Sequence, residues 1–244
     1  MAGLDPGWRR RAAASGVDLV VPFHQEATTA AATIAEWRAE AERLGVPLRI
    51  LACEDGSTDG TADVLRALAS SGEVEPLIGT ERKGYSRAVV DGIRATSAAI
   101  VCCVDGDGQC DPNDLGRLLD APDDLVVVVG ARVPRRDPWV RRAMSTSVRL
   151  LVRVLHGVDL PDPSCPYVLG DGDTVRRAAG ADPVLPQGYW WEFHIRLRHA
   201  GVRVGWVPVV HRERLDGETR VYRASKLPGI AWHHLLGLVR LRRG

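Results

Sequence analysis

Short apolar runs alternate with helical patterns along the first 131 residues of this chain, and that alternation restricts the folds open to it. Residues 17–23 (Val-Asp-Leu-Val-Val-Pro-Phe) read as a strand. A helix is predicted over 28–44, where Ile34, Trp37, Ala41 and Leu44 form one stripe. A second strand spans 48–53, Thr58-Asp59 cap a helix running to about residue 70, and 74–78 is a third strand. A helix over 85–95, a strand over 99–104, a short helix opened by Pro112 and a strand over 125–129 complete the series. The unbroken apolar pattern of that last strand implies burial on both faces. Strands that alternate with helices predict an α/β fold, with a mostly parallel, Rossmann-like central sheet and helices on both faces.

The second half reads differently. An Arg-studded helix is predicted over 138–156, followed by a loop rich in Pro and Asp over 161–166. A helix over 190–199, a strand over 202–210, a charged loop over 211–223 and a last helix over 227–241 follow. No internal repeat and no linker composition interrupts the chain, so a single domain is expected.

Composition excludes some classes. At 244 residues and 45% hydrophobic content the chain can bury a real core, and a net charge of +1 gives no overall field for nucleic acid. None of the five cysteines forms a C-x-x-C pair, and Cys102-Cys103 lie inside a predicted strand. A reduced, cytoplasmic protein without a zinc site is the expectation. Residues 1–16 are polar, carry Arg9-Arg10-Arg11, show no secretory pattern and are expected to be flexible. No run approaches the roughly 18 apolar residues of a spanning helix. The last helix carries Trp232, Leu235, Leu236 and Val239 at helical spacing and ends in Arg240-Leu241-Arg242-Arg243. Such a stripe either lies on an anionic membrane surface or packs on its own domain.

Two acid-rich loops stand at predicted strand ends. The first is Glu54-Asp55-Gly56-Ser57-Thr58-Asp59-Gly60-Thr61 and the second is Asp105-Gly106-Asp107-Gly108-Gln109. In a parallel sheet such loops open into one crevice at the carboxyl ends of the strands. Alternate carboxylates, as in Asp105 and Asp107, project to the same side of an extended segment. They can share Mg²⁺ or Mn²⁺ with diphosphate oxygens, although Asp and Gly are also ordinary turn residues. A calcium loop fails on spacing, because Cys110 and Gly116 stand where Gly and Glu would be needed. In the first loop Thr58 or Asp59 serves as a helix cap, which leaves Asp55 to accept from a nucleobase N–H or a ribose hydroxyl.

Other segments carry weaker signals. Arg82-Lys83-Gly84-Tyr85 is a basic turn opening a helix, suited to a diphosphate or simply solvated. Trp190-Trp191-Glu192-Phe193 sets one carboxyl among large aromatics, which suits a general base or a helix Glu beside a core. The loop 211–223 holds Arg212, Arg214 and Arg220, whose forks could grip phosphate, but acids intervene. Arg141 and Ser145 lie four residues apart on one helical face.

In order and at these spacings, the segments resemble family 2 glycosyltransferases of the GT-A fold, with closest similarity to the polyprenyl-phosphate (dolichyl-phosphate) sugar transferase branch. Pro22-Phe23-His24-Gln25-Glu26 resembles the family's P-x-x-N-E with Gln for Asn, Glu54 to Thr61 its D-D-x-S-x-D-x-T, and Asp105 to Gln109 its D-x-D-x-Q. The resemblance implies an inverting, metal-dependent transferase that uses a nucleoside-diphosphate sugar. It implies Asp105 and Asp107 as metal ligands and Asp107 as the catalytic one. Pro22, Glu26, Asp55, Ser57, Lys83 and Asp105 would form the nucleotide site, with Arg214 and Arg220 closing on the phosphates. Gly130-Ala131-Arg132, Arg141 and Ser145 resemble residues that grip an acceptor phosphate. Residues 17–131 would then be the donor half, 132–223 the acceptor half, and 224–244 a C-terminal amphipathic helix.

Departures exist. Cys165-Pro166 and Val168 replace a Gly and an Arg of the branch, and the transmembrane tails of many relatives are not seen. A soluble hydroxyl acceptor with Glu192 as base is therefore the alternative, and a non-catalytic nucleotide-binding module a second. A nucleotidyltransferase would want a Gly-rich basic loop after the first strand, which this chain lacks.

Overall fold

The computed structural model describes residues 7–133, 139–180, 182–185, 188–213 and 235–242, with backbone only for 139–145 and 147. Strand β1 (Val17–Phe23) pairs in parallel with β2 (Leu48–Glu54) on one side and with β4 (Ile100–Cys103) on the other. β3 (Glu75–Ile78) pairs with β2. Beyond β4 lie β6 (Val168–Asp171), β5 (Val127–Arg132) and β7 (Val204–Val209), giving a seven-stranded sheet of order β3-β2-β1-β4-β6-β5-β7. β6 runs antiparallel to both of its neighbours and the other strands are mutually parallel. Their carboxyl ends therefore share one edge of the sheet. The chain steps outward from β1 to β3 and then returns to β4, so the topological switch point falls between β1 and β4.

The helices are α1 (Gly7–Ser15), α2 (Ala30–Leu44), α3 (Thr61–Ser70), α4 (Tyr85–Ala95), α5 (Leu115–Leu119), α6 (Trp139–His156), α7 (Gly172–Ala179) and α8 (Tyr189–His199). α4, α7 and α8 pack as neighbours, as do α1 with α5 and α2 with α3. The predicted stripe of α2 is buried at Ile34, Trp37 and Ala41. A main core spreads over the sheet, and a smaller cluster of Val152, Leu160, Leu185, Trp191, Ile195 and Leu238 joins α6, α8 and a helical segment at 235–241.

Two sequence readings need correction. The N-terminal stretch is not flexible from residue 7 onward. It forms α1, which buries Trp8 and Ala12 and ties the Arg9 guanidinium to Asp120 and the Gly116 carbonyl. Burying an indole is worth roughly 2–3 kcal/mol, enough to hold a helix that polar composition alone does not predict. β6 and α7 were not predicted, because four residues flanked by Pro and Gly carry too little pattern. Of the last helix, expected over 227–241, residues 227–234 lie outside the described residues; 235–241 are helical, and Leu238 is fully buried against its own domain.

A buried acid locks the strands at the edge opposite the acid loops. Asp18 on β1 takes a two-pronged bond from Arg49 on β2 (2.8 and 2.7 Å) and accepts from Ser97 N and Ala98 N just before β4. Burial works to raise the Asp18 carboxyl, but these donors outweigh it and hold it below the ordinary 3.8. Its stabilising contribution is thus present above that ordinary value and is lost as pH falls through the lowered one. Arg49→Ala should lower stability by roughly 1–3 kcal/mol by urea unfolding at pH 7, and the gap from the parent should narrow as pH falls below the ordinary 3.8 and through the lowered Asp18 value. Equal stability of parent and variant at pH 7 would refute this role for Asp18.

Candidate active site

The loops after β1, β2 and β4 meet at the switch point, and polar side chains stitch them together. Gln25 N donates to Ser57 Oγ (3.0 Å), Gln25 Nε2 to Thr58 Oγ1 (3.0 Å), Glu26 N to Thr61 Oγ1 (2.9 Å) and Ala27 N to Asp59 Oδ2 (3.1 Å). Glu54 Oε1 accepts from Ser57 N at 2.5 Å. The first acid loop thus supplies acceptors for the irregular backbone after β1. Burial works to raise the Asp59 carboxyl, but bonds from Thr61 and Ala27 outweigh it and hold it low. Gln25 sits at φ 60°, a left-handed conformation in which Asn is the commoner non-glycine residue. That is the position where the family's P-x-x-N-E carries Asn.

Several predicted site residues have duties within the protein. Asp55, expected to read the base, is buried; Oδ1 accepts from Lys83 N (2.7 Å) and Gly84 N (3.0 Å), and Oδ2 also accepts from Gly84 N (3.0 Å). It shapes the basic turn. The Lys83 ammonium pairs with Asp91 (3.2 Å). Glu26 Oε2 accepts from Thr29 Oγ1 (2.9 Å). Gly56 has φ 62°, and a Cβ there would lie 2.5 Å from Arg82 N, so this glycine lets the acid loop touch the basic turn.

The second acid loop stands against the first strand. A Cβ on Gly106 would come within 2.5 Å of the Pro22 carbonyl, so only glycine fits between Asp105 and Asp107. Asp107 is 8% exposed, and its Oδ1 accepts from Gln109 N (3.1 Å). Asp105 Oδ1 accepts from the Tyr85 hydroxyl (2.5 Å). Among the described residues no group of three or more His, Cys, Asp or Glu is gathered as a metal cage. Two carboxylates beside an open edge fit a metal that also takes ligands from a bound diphosphate.

The segment after β7 closes over this loop. Val210 N donates to Asp114 Oδ2 (2.6 Å), and a bridge joins Cys110 to His211. Arg212 bonds both Asp111 and Glu36 at 2.6 Å. Arg212 is therefore an anchor for the loop rather than one of its phosphate grips. Burial works to lower this guanidinium, but Asp111 and Glu36 outweigh it and raise it. Sequence reading missed this docking, since nothing local pairs residue 212 with 111. Arg214 and Arg220 lie outside the described residues.

On the acceptor side, Arg132 has its fork on Asp162, with both bonds at 2.8 Å, and also donates to Ser164 Oγ (2.6 Å). Its charge is matched within the protein. Arg141 and Ser145 lie on α6, and their side chains are outside the described residues. Glu192, expected as a base, is fully buried. Its Oε2 accepts from Val184 N and Leu185 N (2.8 Å each) and its Oε1 from Arg196 (2.5 Å). It anchors the segment before α8, and a base has to reach the acceptor. Val168, which stands where the branch has Arg, is a buried β6 residue.

Residues 18–179 match the pattern of glycosyl transferase family 2. The chain belongs to this family. Among its relatives, the undecaprenyl-phosphate mannosyltransferase of Micrococcus luteus is 30% identical over 183 residues, 70% of this chain and 75% of the relative. An undecaprenyl-phosphate 4-deoxy-4-formamido-L-arabinose transferase of Edwardsiella ictaluri is 28% identical over 213 residues, 84% of this chain. The chain spans 62% of that relative and 47% of its Serratia proteamaculans counterpart. The glucosyl-3-phosphoglycerate synthase of Mycobacterium tuberculosis, crystallised with Mn²⁺, UDP-glucose and phosphoglyceric acid, superimposes with a TM-score of 0.69 at 20% identity, covering 100% of this chain and 85% of that one. The mannosyl-3-phosphoglycerate synthase of Rubrobacter xylanophilus gives 0.64 at 20% identity, covering 98% and 79%. This family 2 chain thus has the GT-A fold, as its sequence predicted.

The geometry of Glu192 leads to a measurable expectation. Glu192→Gln keeps an acceptor for the two backbone N–H groups, so turnover should stay within about threefold of the parent while the melting temperature falls. Loss of a general base would instead cost roughly a hundredfold or more. A loss of that size at an unchanged melting temperature would return Glu192 to the chemistry.

Proposed function

We propose that this protein transfers a sugar from a nucleoside-diphosphate sugar to a polyprenyl phosphate, with inversion and with Mg²⁺ or Mn²⁺. The observation that carries the donor side is the convergence of the loops after β1, β2 and β4, with Asp105 and Asp107 at a strand end beside an Asp55-shaped basic turn. Asp105 and Asp107 would hold the metal, which on binding would neutralise charge on the departing diphosphate. Pro22, Glu26 and Ser57 form the wall beside the nucleoside, and Asp55 acts by fixing Lys83 and Gly84 toward the phosphates. Arg214 and Arg220 complete the phosphate contacts from the loop that Arg212 anchors.

Two considerations favour a phosphate acceptor. The relatives at 28–30% identity are named as undecaprenyl-phosphate transferases. Glu192, on which the hydroxyl route rested, is buried in a structural bond, whereas a phosphate arrives already ionised and needs no base. Arg141 and Ser145, on one face of α6, are the candidate grips, with Arg132 held at the strand end by Asp162.

A polyprenyl chain resides in lipid, so this reading includes peripheral membrane contact. No helix among the described residues is long and apolar enough to cross a membrane. In the terminal segment Leu238 is packed inward and Leu236 is 39% exposed, while Leu150 and Val154 on α6 are 62% and 71% exposed, one turn apart and next to Arg153 and to Arg149, which pairs with Asp159. Among the described residues, α6 thus presents the more exposed apolar pair to an anionic lipid surface.

Asp107→Ala should lower transfer roughly a hundredfold or more. Undiminished activity of that variant in a chelator would sink the metal reading. Arg141→Ala should raise the acceptor KM far more than the donor KM. With undecaprenyl phosphate in anionic vesicles, Leu150→Ser with Val154→Ser should raise it too, and an unchanged value would remove the membrane contact. Turnover of a phosphate-free hydroxyl acceptor, with polyprenyl phosphates ignored, would replace the acceptor assignment.

A further inference from the structure

We infer that Tyr85 is a positioning residue for Asp105, and that Trp190, from the other half of the chain, sets the direction in which Tyr85 donates. The inference rests on the donor-site reading above. Tyr85 is the first residue of α4, and its hydroxyl lies 2.5 Å from Asp105 Oδ1 and 2.6 Å from Trp190 Nε1. An indole N–H can only donate. It therefore occupies a lone pair of the tyrosine oxygen, and the hydroxyl proton is left to point at Asp105. The carboxylate has a charge-assisted bond whose donor cannot turn away.

The chemistry of the three groups agrees with that direction. The tyrosine oxygen has one O–H and two acceptor lone pairs, so accepting from the indole leaves its own proton to donate to Asp105. Trp190 is itself fixed by edge contacts with Tyr189 and Phe193 at ring-centroid distances of 5.2 and 5.5 Å. Around this chain, α4 and the segment before α8 are bound together. Ser86 Oγ donates to the Leu185 carbonyl (2.8 Å), Arg87 bonds Asp182 (2.5 Å), and Glu192 holds Val184 N and Leu185 N. The donor-site carboxylate is thereby referenced to α8, an element of the predicted acceptor half. A bound nucleotide and metal would meet Asp105 already aimed, without the cost of ordering its side chain.

The test uses the whole chain. Calorimetry with Mn²⁺ and each of UDP, GDP, CDP, ADP and dTDP first finds the tightest pair, which is then used throughout. Tyr85→Phe should weaken that binding by about tenfold to a hundredfold. Trp190→Phe, which keeps the hydroxyl but frees it to rotate, should weaken it by about threefold to tenfold. In an Asp105→Ala background, Tyr85→Phe should cost nothing further, because its partner is gone. Donor KM should rise in both single variants while acceptor KM stays put. A packing defect would act alike in both backgrounds and on both substrates. Parent-like binding by Tyr85→Phe, or an undiminished effect without Asp105, would overturn the inference while leaving the donor site intact. If Tyr85→Phe fails to fold by circular dichroism, Trp190→Phe with and without Asp105 decides on the same terms. A parent protein that binds none of the nucleotides with Mn²⁺ would sink the donor-site reading itself, and this inference with it.

Discussion

Parallel pairing of β1 with β2 and β4 is the constraint from which the rest of this molecule follows. Parallel neighbours cannot be joined by tight hairpins, so each strand ends in an irregular loop, and these loops crowd one edge of the sheet. Irregular backbone brings N–H groups with no ladder partner, and leaving them buried and unpaired costs about 1–3 kcal/mol each. The chain supplies side-chain acceptors where they are needed. Glu54, Asp55, Ser57, Asp59, Thr61 and Asp107 all accept from backbone N–H groups of this edge. A motif that reads as ligand chemistry is therefore also the scaffold that allows the crevice to exist.

That double use changes how the acids should be weighed. Both Asp55 oxygens and Glu54 Oε1 accept from N–H groups of neighbouring turns. Asp105 and Asp107 stand on either side of a glycine that no other residue could replace, pressed against the Pro22 carbonyl. The same economy appears at the opposite edge, where Asp18 gathers Arg49 and the two N–H groups before β4. Asp18 ties β1 to β2 and to the residues just before β4, which holds these central strands together at the edge opposite the loops.

The second half of the chain is joined to the first through α8. Glu192 bonds the 184–185 backbone, which in turn is held by Ser86 at the start of α4. Trp190, two residues before Glu192, reaches Asp105 through Tyr85. Glu192 thus fastens the segment before α8, and Trp190 donates a hydrogen bond to Tyr85. Arg132 and Arg212 likewise each have the guanidinium on an aspartate of the protein.

The sequence by itself determined the α/β class, most strand and helix boundaries of the first half, and the order of the family's motifs. Those features are local: periodicity of apolar residues, caps and turn residues are properties of a few consecutive positions. It also marked Asp105-Gly106-Asp107 correctly as a strand-end loop. Tertiary structure alone decided that α1 docks through Trp8, that β6 enters the sheet antiparallel between β4 and β5, and where each charged fork points. Four residues of strand carry too little periodicity to be seen, and their place depends on a gap left by other strands. Partner choice for Glu192, Arg132 and Tyr85 joins positions as many as 105 residues apart. Such pairings are set by the burial of polar groups once the chain has closed, and no local pattern encodes them.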